Sequence, residues 1–139
     1  MGDRDDYEIV DYPDADAVYS VPMGLNNRGM AVGYYGLPDG STRSFWYRRG
    51  QFGKIDVPGA INTSATSING SGVVVGCYQP PAAEWLGFVL ERGRFADFRV
   101  PDASWTNPYF INDRGQISGT YGDAKGVAHG FVATPVHGR

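Results

Sequence analysis

One motif occurs three times in this chain, at a constant spacing of 43 residues. Gly24-Leu25-Asn26-Asn27-Arg28-Gly29-Met30-Ala31-Val32-Gly33-Tyr34-Tyr35 returns as Ser67-Ile68-Asn69-Gly70-Ser71-Gly72-Val73-Val74-Val75-Gly76-Cys77-Tyr78. It returns again as Phe110-Ile111-Asn112-Asp113-Arg114-Gly115-Gln116-Ile117-Ser118-Gly119-Thr120-Tyr121. A fixed period of this size marks a repeat architecture, in which each unit is one supersecondary element that buries its apolar surface against its neighbours.

Each unit parses into four short strands. In the middle copy these span about residues 65–68, 73–78, 84–90 and 94–100. Asn69-Gly70-Ser71-Gly72 and Glu91-Arg92-Gly93 supply the tight turns, because Asn and Gly tolerate positive φ and Asn can bond the backbone two residues on. The 20 Gly and 9 Pro, set against 9 Tyr and 7 Phe, fit many turns between aromatic-rich strands. Almost no helix is expected. Alternation along the second strand separates a regular face from a variable one. The regular face carries Ala31/Val74/Ile117, Gly33/Gly76/Gly119 and Tyr35/Tyr78/Tyr121, and is expected to be the structural one. The other carries Val32/Val75/Ser118 and Tyr34/Cys77/Thr120. A strand glycine beside an aromatic marks close approach of a neighbouring group, and Phe45, Phe88 and Phe131 are the expected neighbours.

The repeats cover about residues 19–60, 62–103 and 105–135 of a single domain, 1–139. The third has no fourth strand after Phe131-Val132-Ala133-Thr134-Pro135. Residues 7–15, Tyr-Glu-Ile-Val-Asp-Tyr-Pro-Asp-Ala, read as a fourth strand with no repeat in front of it: Tyr7, Val10, Tyr12 and Pro13 match Phe52, Ile55, Val57 and Pro58. One expectation resolves both observations. The N-terminal strand completes the last repeat, closes a ring and removes an exposed sheet edge. The fold class is therefore all-β, with three pseudo-symmetric four-stranded repeats in a three-bladed, propeller-like ring. A β-trefoil, or half of a dimeric six-bladed propeller with exchanged N-terminal strands, fits the same count of strands.

The pattern IN-x-x-G-x-x-x-G-x-Y, then GF, then F-x-x-(I/F)-x-V-P-x-A, resembles the HAF repeat family from Tyr7 to Pro135. Ala128-His129-Gly130-Phe131 is the nearest match to the family's triplet, beside Arg43-Ser44-Phe45 and Leu86-Gly87-Phe88. The resemblance implies propeller-like tandem repeats and carries no catalytic motif; family members are generally extracellular.

Charge and composition exclude several classes of function. A net charge of −3 without a basic cluster beyond Arg48-Arg49 argues against nucleic acid. No apolar run approaches membrane-spanning length. Cys77 is the single cysteine, so no disulfide forms within the chain. The acidic start Met1-Gly2-Asp3-Arg4-Asp5-Asp6 lacks the pattern of a signal peptide, which points to the cytoplasm, or to an extracellular protein if a leader has been removed. Two histidines and one cysteine cannot build a structural zinc site. No metal or other cofactor is expected.

In a pseudo-threefold scaffold, function is sought where equivalent positions differ. Asp11, Asp56 and Arg99 are equivalent; if they converged, like charges and the guanidinium would split the carboxylate pKa values for acid–base work. Arg43, Leu86 and His129 form a second such set. Cys77 with His129 is a conceivable nucleophile pair, against the plainer reading of a packed thiol. The loops before the third strands differ most, and Trp85, Trp105, Tyr34, Arg43 and Glu84 are the candidate ligand contacts. Two readings follow. One is a ligand- or partner-binding module for a small molecule, carbohydrate or peptide, as a monomer or strand-exchanged homodimer. The other is a small enzyme, a cyclase, isomerase or hydrolase, acting on an apolar small molecule through Asp, Arg, His and Tyr.

Overall fold

A computed structural model describes residues 7–136. Among them are eleven strands and no helix. The first sheet holds β1 (Tyr19–Leu25), β2 (Ala31–Gly36), β3 (Thr42–Arg48) and β4 (Gln51–Ile55). The second holds β5 (Asn62–Ile68), β6 (Val74–Gln79), β7 (Leu86–Glu91) and β8 (Arg94–Phe98). The third holds β9 (Trp105–Ile111), β10 (Ile117–Gly122) and β11 (Ala128–Ala133). All pairs are antiparallel and run in chain order.

The turns form as their residues dictate. Asn69 Oδ1 accepts from the backbone N–H groups of Ser71 and Val73 at 3.1 and 2.9 Å, and Gly72 sits at φ +86°. Asn26 and Asn112 make the same pair of bonds in their copies. At the β3–β4 and β7–β8 hairpins, Arg49-Gly50 and Arg92-Gly93 each place two successive residues at positive φ. That is the two-residue turn whose twist matches antiparallel strands.

The three sheets stack, and the core lies between them. Val32 of the first sheet packs with Ile55, Ala65, Ile68, Val74, Tyr78 and Phe88. Val75 and Val89 pack with Ile111 and Ile117 of the third sheet. The middle sheet is thus buried on both faces, so the expectation of one structural face is corrected: Val32 and Val75, on the variable face, are as deep in the core as their neighbours. Asparagines stitch the stack together, Asn26 Nδ2 donating to the Asn69 carbonyl and Asn69 Nδ2 to that of Asn112, both at 3.1 Å.

The N-terminal segment corrects a second expectation. Residues 7–12 form no strand and lie against the first sheet, not the third. Tyr12 stacks on Tyr35 with ring centroids 4.3 Å apart, and the Tyr47 hydroxyl donates to Glu8 at 2.6 Å. The Tyr12 N–H donates to Ser20 Oγ as those of Val57 and Val100 donate to Thr63 and Thr106. The segment therefore enters its sheet in the manner of the other two inter-sheet junctions. Val10 and Tyr12 stay on the nearest aromatic cluster, Tyr35, Phe45 and Phe52, which sequence adjacency favours over closing the long span to β11, while Tyr7 and Ile9 are exposed. Sheets one and three make no element-to-element packing comparable to that of either with the middle sheet among the described residues. The stack is open, which also sets aside the trefoil: three separate sheets stand where a trefoil requires a barrel.

Candidate functional site

A fault repeated in each sheet builds the site. In β1 the pairing with β2 skips Met23, with Pro22 opposite Gly33 and Gly24 opposite Val32. In β5 it skips Thr66, and in β9 it skips Tyr109. Each is a β-bulge, which leaves one residue out of the ladder and re-aims its side chain. The glycine across from it is what permits the bulge. A Cβ on Gly33, Gly76 or Gly119 would lie 2.0, 2.2 or 2.1 Å from the carbonyl oxygen of Val21, Ser64 or Asn107. Each glycine does stand opposite its expected ring, Gly33 opposite Phe45, Gly76 opposite Phe88 and Gly119 opposite Phe131. The nearest obstacle to a side chain is nonetheless backbone, with the Phe88 ring 2.9 Å from a Cβ on Gly76.

Met23, Thr66 and Tyr109 line one groove of about 430 Å³ that runs across all three sheets. Tyr19, Tyr34, Ser64, Cys77 and Trp85 complete most of its wall. Tyr19 and Tyr34 meet edge to face at 6.4 Å. The Trp85 carbonyl accepts from the Thr106 N–H at 3.1 Å, which fixes the variable loop to β9. Thr120, the third-copy counterpart of Tyr34 and Cys77, donates to the Tyr109 hydroxyl at 3.3 Å. Several lining groups are already committed. Thr66 Oγ1 bonds the Pro108 carbonyl, and Asn62 bonds the Thr42 N–H and Gln79. The Ser64, Tyr19 and Tyr34 hydroxyls make no hydrogen bond among the described residues.

No Asp, Glu, His, Lys or Arg lines the groove. Its one titratable thiol, Cys77, is pushed up to about 12 by burial, so it stays protonated at neutral pH. The wall offers ring faces, hydroxyls and a thiol, a surface suited to an uncharged ligand with an apolar face.

The other candidate residues lie apart. Asp11, Asp56 and Arg99 sit at three different junctions, and among the described residues no hydrogen bond or ion pair joins them. Asp56 accepts instead from the Ser44 N–H at 3.3 Å. The expected Asp-Asp-Arg cluster does not form, because the three residues precede or follow different sheets along the stack. His129 is half-exposed on β11, stacked on Tyr121 at 5.2 Å and 2.8 Å from Asp123, whose carboxyl it holds below the usual range. No contact joins it to Cys77 among the described residues. Arg43 donates to the Thr42 and Ile61 carbonyls and ties two sheets together. Trp105 lies over Gly122, where a Cβ would be 2.1 Å from its ring nitrogen, just as Tyr19 lies over Gly36. Glu84 is exposed beside the groove without lining it. No group of three or more His, Cys, Asp or Glu able to hold a metal occurs among the described residues.

Of the sequence candidates, Tyr34, Trp85 and Cys77 are brought together. Met23, Thr66 and Tyr109 were not anticipated. A signal existed: Pro22 and Pro108 sit inside strands, where proline is confined to edges or bulges, each paired with a strand glycine.

Fold and groove together define an all-β stack of short antiparallel sheets with a concave, uncharged, aromatic-rich groove across it. No helix among the described residues is long and apolar enough to cross a membrane. Comparisons with protein-family models, with curated proteins and with solved structures find no match to this chain.

Proposed function

We propose that this chain is a non-catalytic binding module of the HAF-repeat type, built from propeller-like blades, whose groove takes an uncharged ligand that combines an apolar face with hydroxyl groups, as a carbohydrate does. The carrying observation is the lining: Tyr19, Tyr34, Trp85 and Tyr109 supply ring faces, and no residue in the wall carries charge. Ring faces bind the C–H surface of such a ligand, while the free Tyr19, Tyr34 and Ser64 hydroxyls orient it. The enzyme alternative would have to rest on the Tyr19, Tyr34 and Tyr109 phenols, since of its Asp, Arg, His and Tyr only tyrosine lines the groove.

The test is a panel of neutral mono- and oligosaccharides and uncharged aromatic glycosides, followed by tryptophan fluorescence and calorimetry. A binder should lose at least tenfold in affinity with Trp85→Ala or Tyr109→Ala, and little with Trp105→Ala if that variant keeps its fold. A panel without response, or a response indifferent to Trp85 and Tyr109, would sink the reading.

A further inference from the structure

The stack presents two unlike ends. Each sheet offers one face to the sheet before it and the opposite face to the sheet after it, and these contacts occur twice inside the chain. On the face that looks backwards, Leu25 of the first sheet is 72% exposed, whereas its counterparts Ile68 and Ile111 are 5% and 8% exposed. On the face that looks forwards, Val132 of the third sheet is 72% exposed, whereas its counterpart Val89 is 8% exposed. Phe110, beside Val132 on that face, is also exposed.

Three cavities or edges mark what is missing at these ends. The first is a mostly apolar groove of about 500 Å³ on the first sheet, lined by Val10, Pro22, Leu25, Ala31 and Tyr47 among others. Its repeat counterpart is the surface of Ile55, Ala65, Ile68, Val74 and Leu90, which Val32 with Met30 and Trp46 of the preceding sheet fills. The second is a cavity of about 830 Å³ over Val89, Ala96 and Phe98, rimmed by Glu91, Arg92, Arg94 and Asp97, beside the place where the third sheet would have its fourth strand. In the corresponding space between the first two sheets, Phe95 of β8 packs near Trp46 in the same core cluster. The third is the outer edge of β11, unpaired among the described residues. The asparagine ladder breaks at the same place, Asn112 Nδ2 turning back to Gln116 at 2.9 Å.

We propose that a second copy of this chain docks head to tail on the first. Its first sheet covers the forward face of the third sheet, and its N-terminal segment pairs with β11 while remaining on its own first sheet. The register follows from the two complete sheets, where Ser44 faces Ile55 and Tyr47 faces Phe52, and Gly87 faces Phe98 and Leu90 faces Phe95. It sets Gly130 opposite Val10, Phe131 opposite Ile9, Val132 opposite Glu8 and Ala133 opposite Tyr7 of the second copy. Tyr7, the counterpart of Phe95, then enters the cavity over Val89 and Ala96. Asn112 reaches the Asn26 carbonyl of the second copy. A head-to-tail contact closes into a ring only if its rotation permits. Propellers commonly have about four to eight blades, and of the multiples of three only six, two copies, lies in that range.

Light scattering on the purified chain should give twice 15.1 kDa. Leu25→Glu and Val132→Asp, both at exposed positions, should each return it to 15.1 kDa with an unchanged circular dichroism spectrum. Opposed residues of an antiparallel pair lie about 4.5–5.5 Å apart at Cα, within disulfide reach. Chains carrying Glu8→Cys mixed with chains carrying Val132→Cys should therefore cross-link into a mixed dimer on oxidation. The parent, with Cys77 alone, is the control. A monomeric parent overturns the proposal. So does a mass that grows without limit with concentration. A double variant that cross-links only within itself overturns it too, since the N-terminal segment would then close on its own chain.

Discussion

At the residue scale, glycine serves two different purposes here, and substitution separates them. At Gly76 a methyl group would meet the Ser64 carbonyl at 2.2 Å, and backbone cannot yield cheaply. Gly76→Ala should cost about 3 kcal/mol through overpacking. At Gly72 the space is open and only φ +86° resists a side chain, so Gly72→Ala should cost about 1–2 kcal/mol. Urea denaturation of both variants checks the ranking. Alkali tests the buried acids. Burial raises Cys77 from 9.0, and Tyr35 and Tyr78 from 10.0, each to about 12; the Tyr78 hydroxyl also donates to Asp97 at 2.5 Å. The folded chain holds these protons where the unfolded chain has released them. Stability should be unaffected by these groups below pH 9 and fall progressively between pH 9 and 12. A denaturation midpoint that rises over that window contradicts the assignment. At neutral pH, Cys77 should react with a disulfide reagent far more slowly in the native than in the unfolded chain. The thiol's position on the variable face was legible from alternation. Its surroundings were not, since they depend on β1 and β9 as much as on β6.

At the element scale, the hairpins were the most legible part. Asn-x-x-Gly predicted the first turn of each copy because a local side chain closes it, and the Asn26, Asn69 and Asn112 bonds satisfy that prediction. The bulges were read as uninterrupted strands, because period-2 alternation says nothing of an extra residue. Pro22 and Pro108 were the available cues. Asn69 is the joint between turn and stack. Its Oδ1 holds its own turn, while its Nδ2 reaches the next sheet, with the residue 5% exposed. Asn69→Ala should cost about 2–3 kcal/mol, the loss of several buried hydrogen bonds. In the monomeric Leu25→Glu background, Asn112→Ala, at an exposed turn that reaches no further sheet of its own chain, should cost about 1 kcal/mol or less. Thermal melts of the two variants decide whether the ladder carries this weight.

At the scale of the whole molecule, the three-unit plan and its all-β character were legible, but the open stack was not, since the pattern predicted a closed ring. The sequence pattern reads residues 7–15 as a fourth strand, whereas residues 7–12 form none in the single chain, and the pattern cannot say whose third strand they would meet. Within this chain the Tyr12, Tyr35, Phe45 and Phe52 cluster decides the matter locally. The stacking order also predicts where the molecule opens first. The middle sheet is covered on both faces, while β11 is exposed along most of its length. Hydrogen exchange on the monomeric Leu25→Glu variant should find β6 and β7 the slowest and β11 the fastest of the strands. Equal protection of β11 and β7 in the single chain would be inconsistent with this order.

The bulges have an implication for how such a groove diversifies. A residue outside the ladder has no place in the register to keep, so its identity is uncoupled from the backbone pairing of the frame around it. Met23 and Tyr109, a thioether and a phenol at equivalent points of equivalent strands, are two settings of one adjustable position. Thr66 is a third setting, one that also tethers adjacent sheets. Exchanging residues at positions 23 and 109 should retune ligand preference while the melting temperature stays nearly constant. The chain then resembles a type frame with interchangeable letters, its grammar held by glycine and its text free to change.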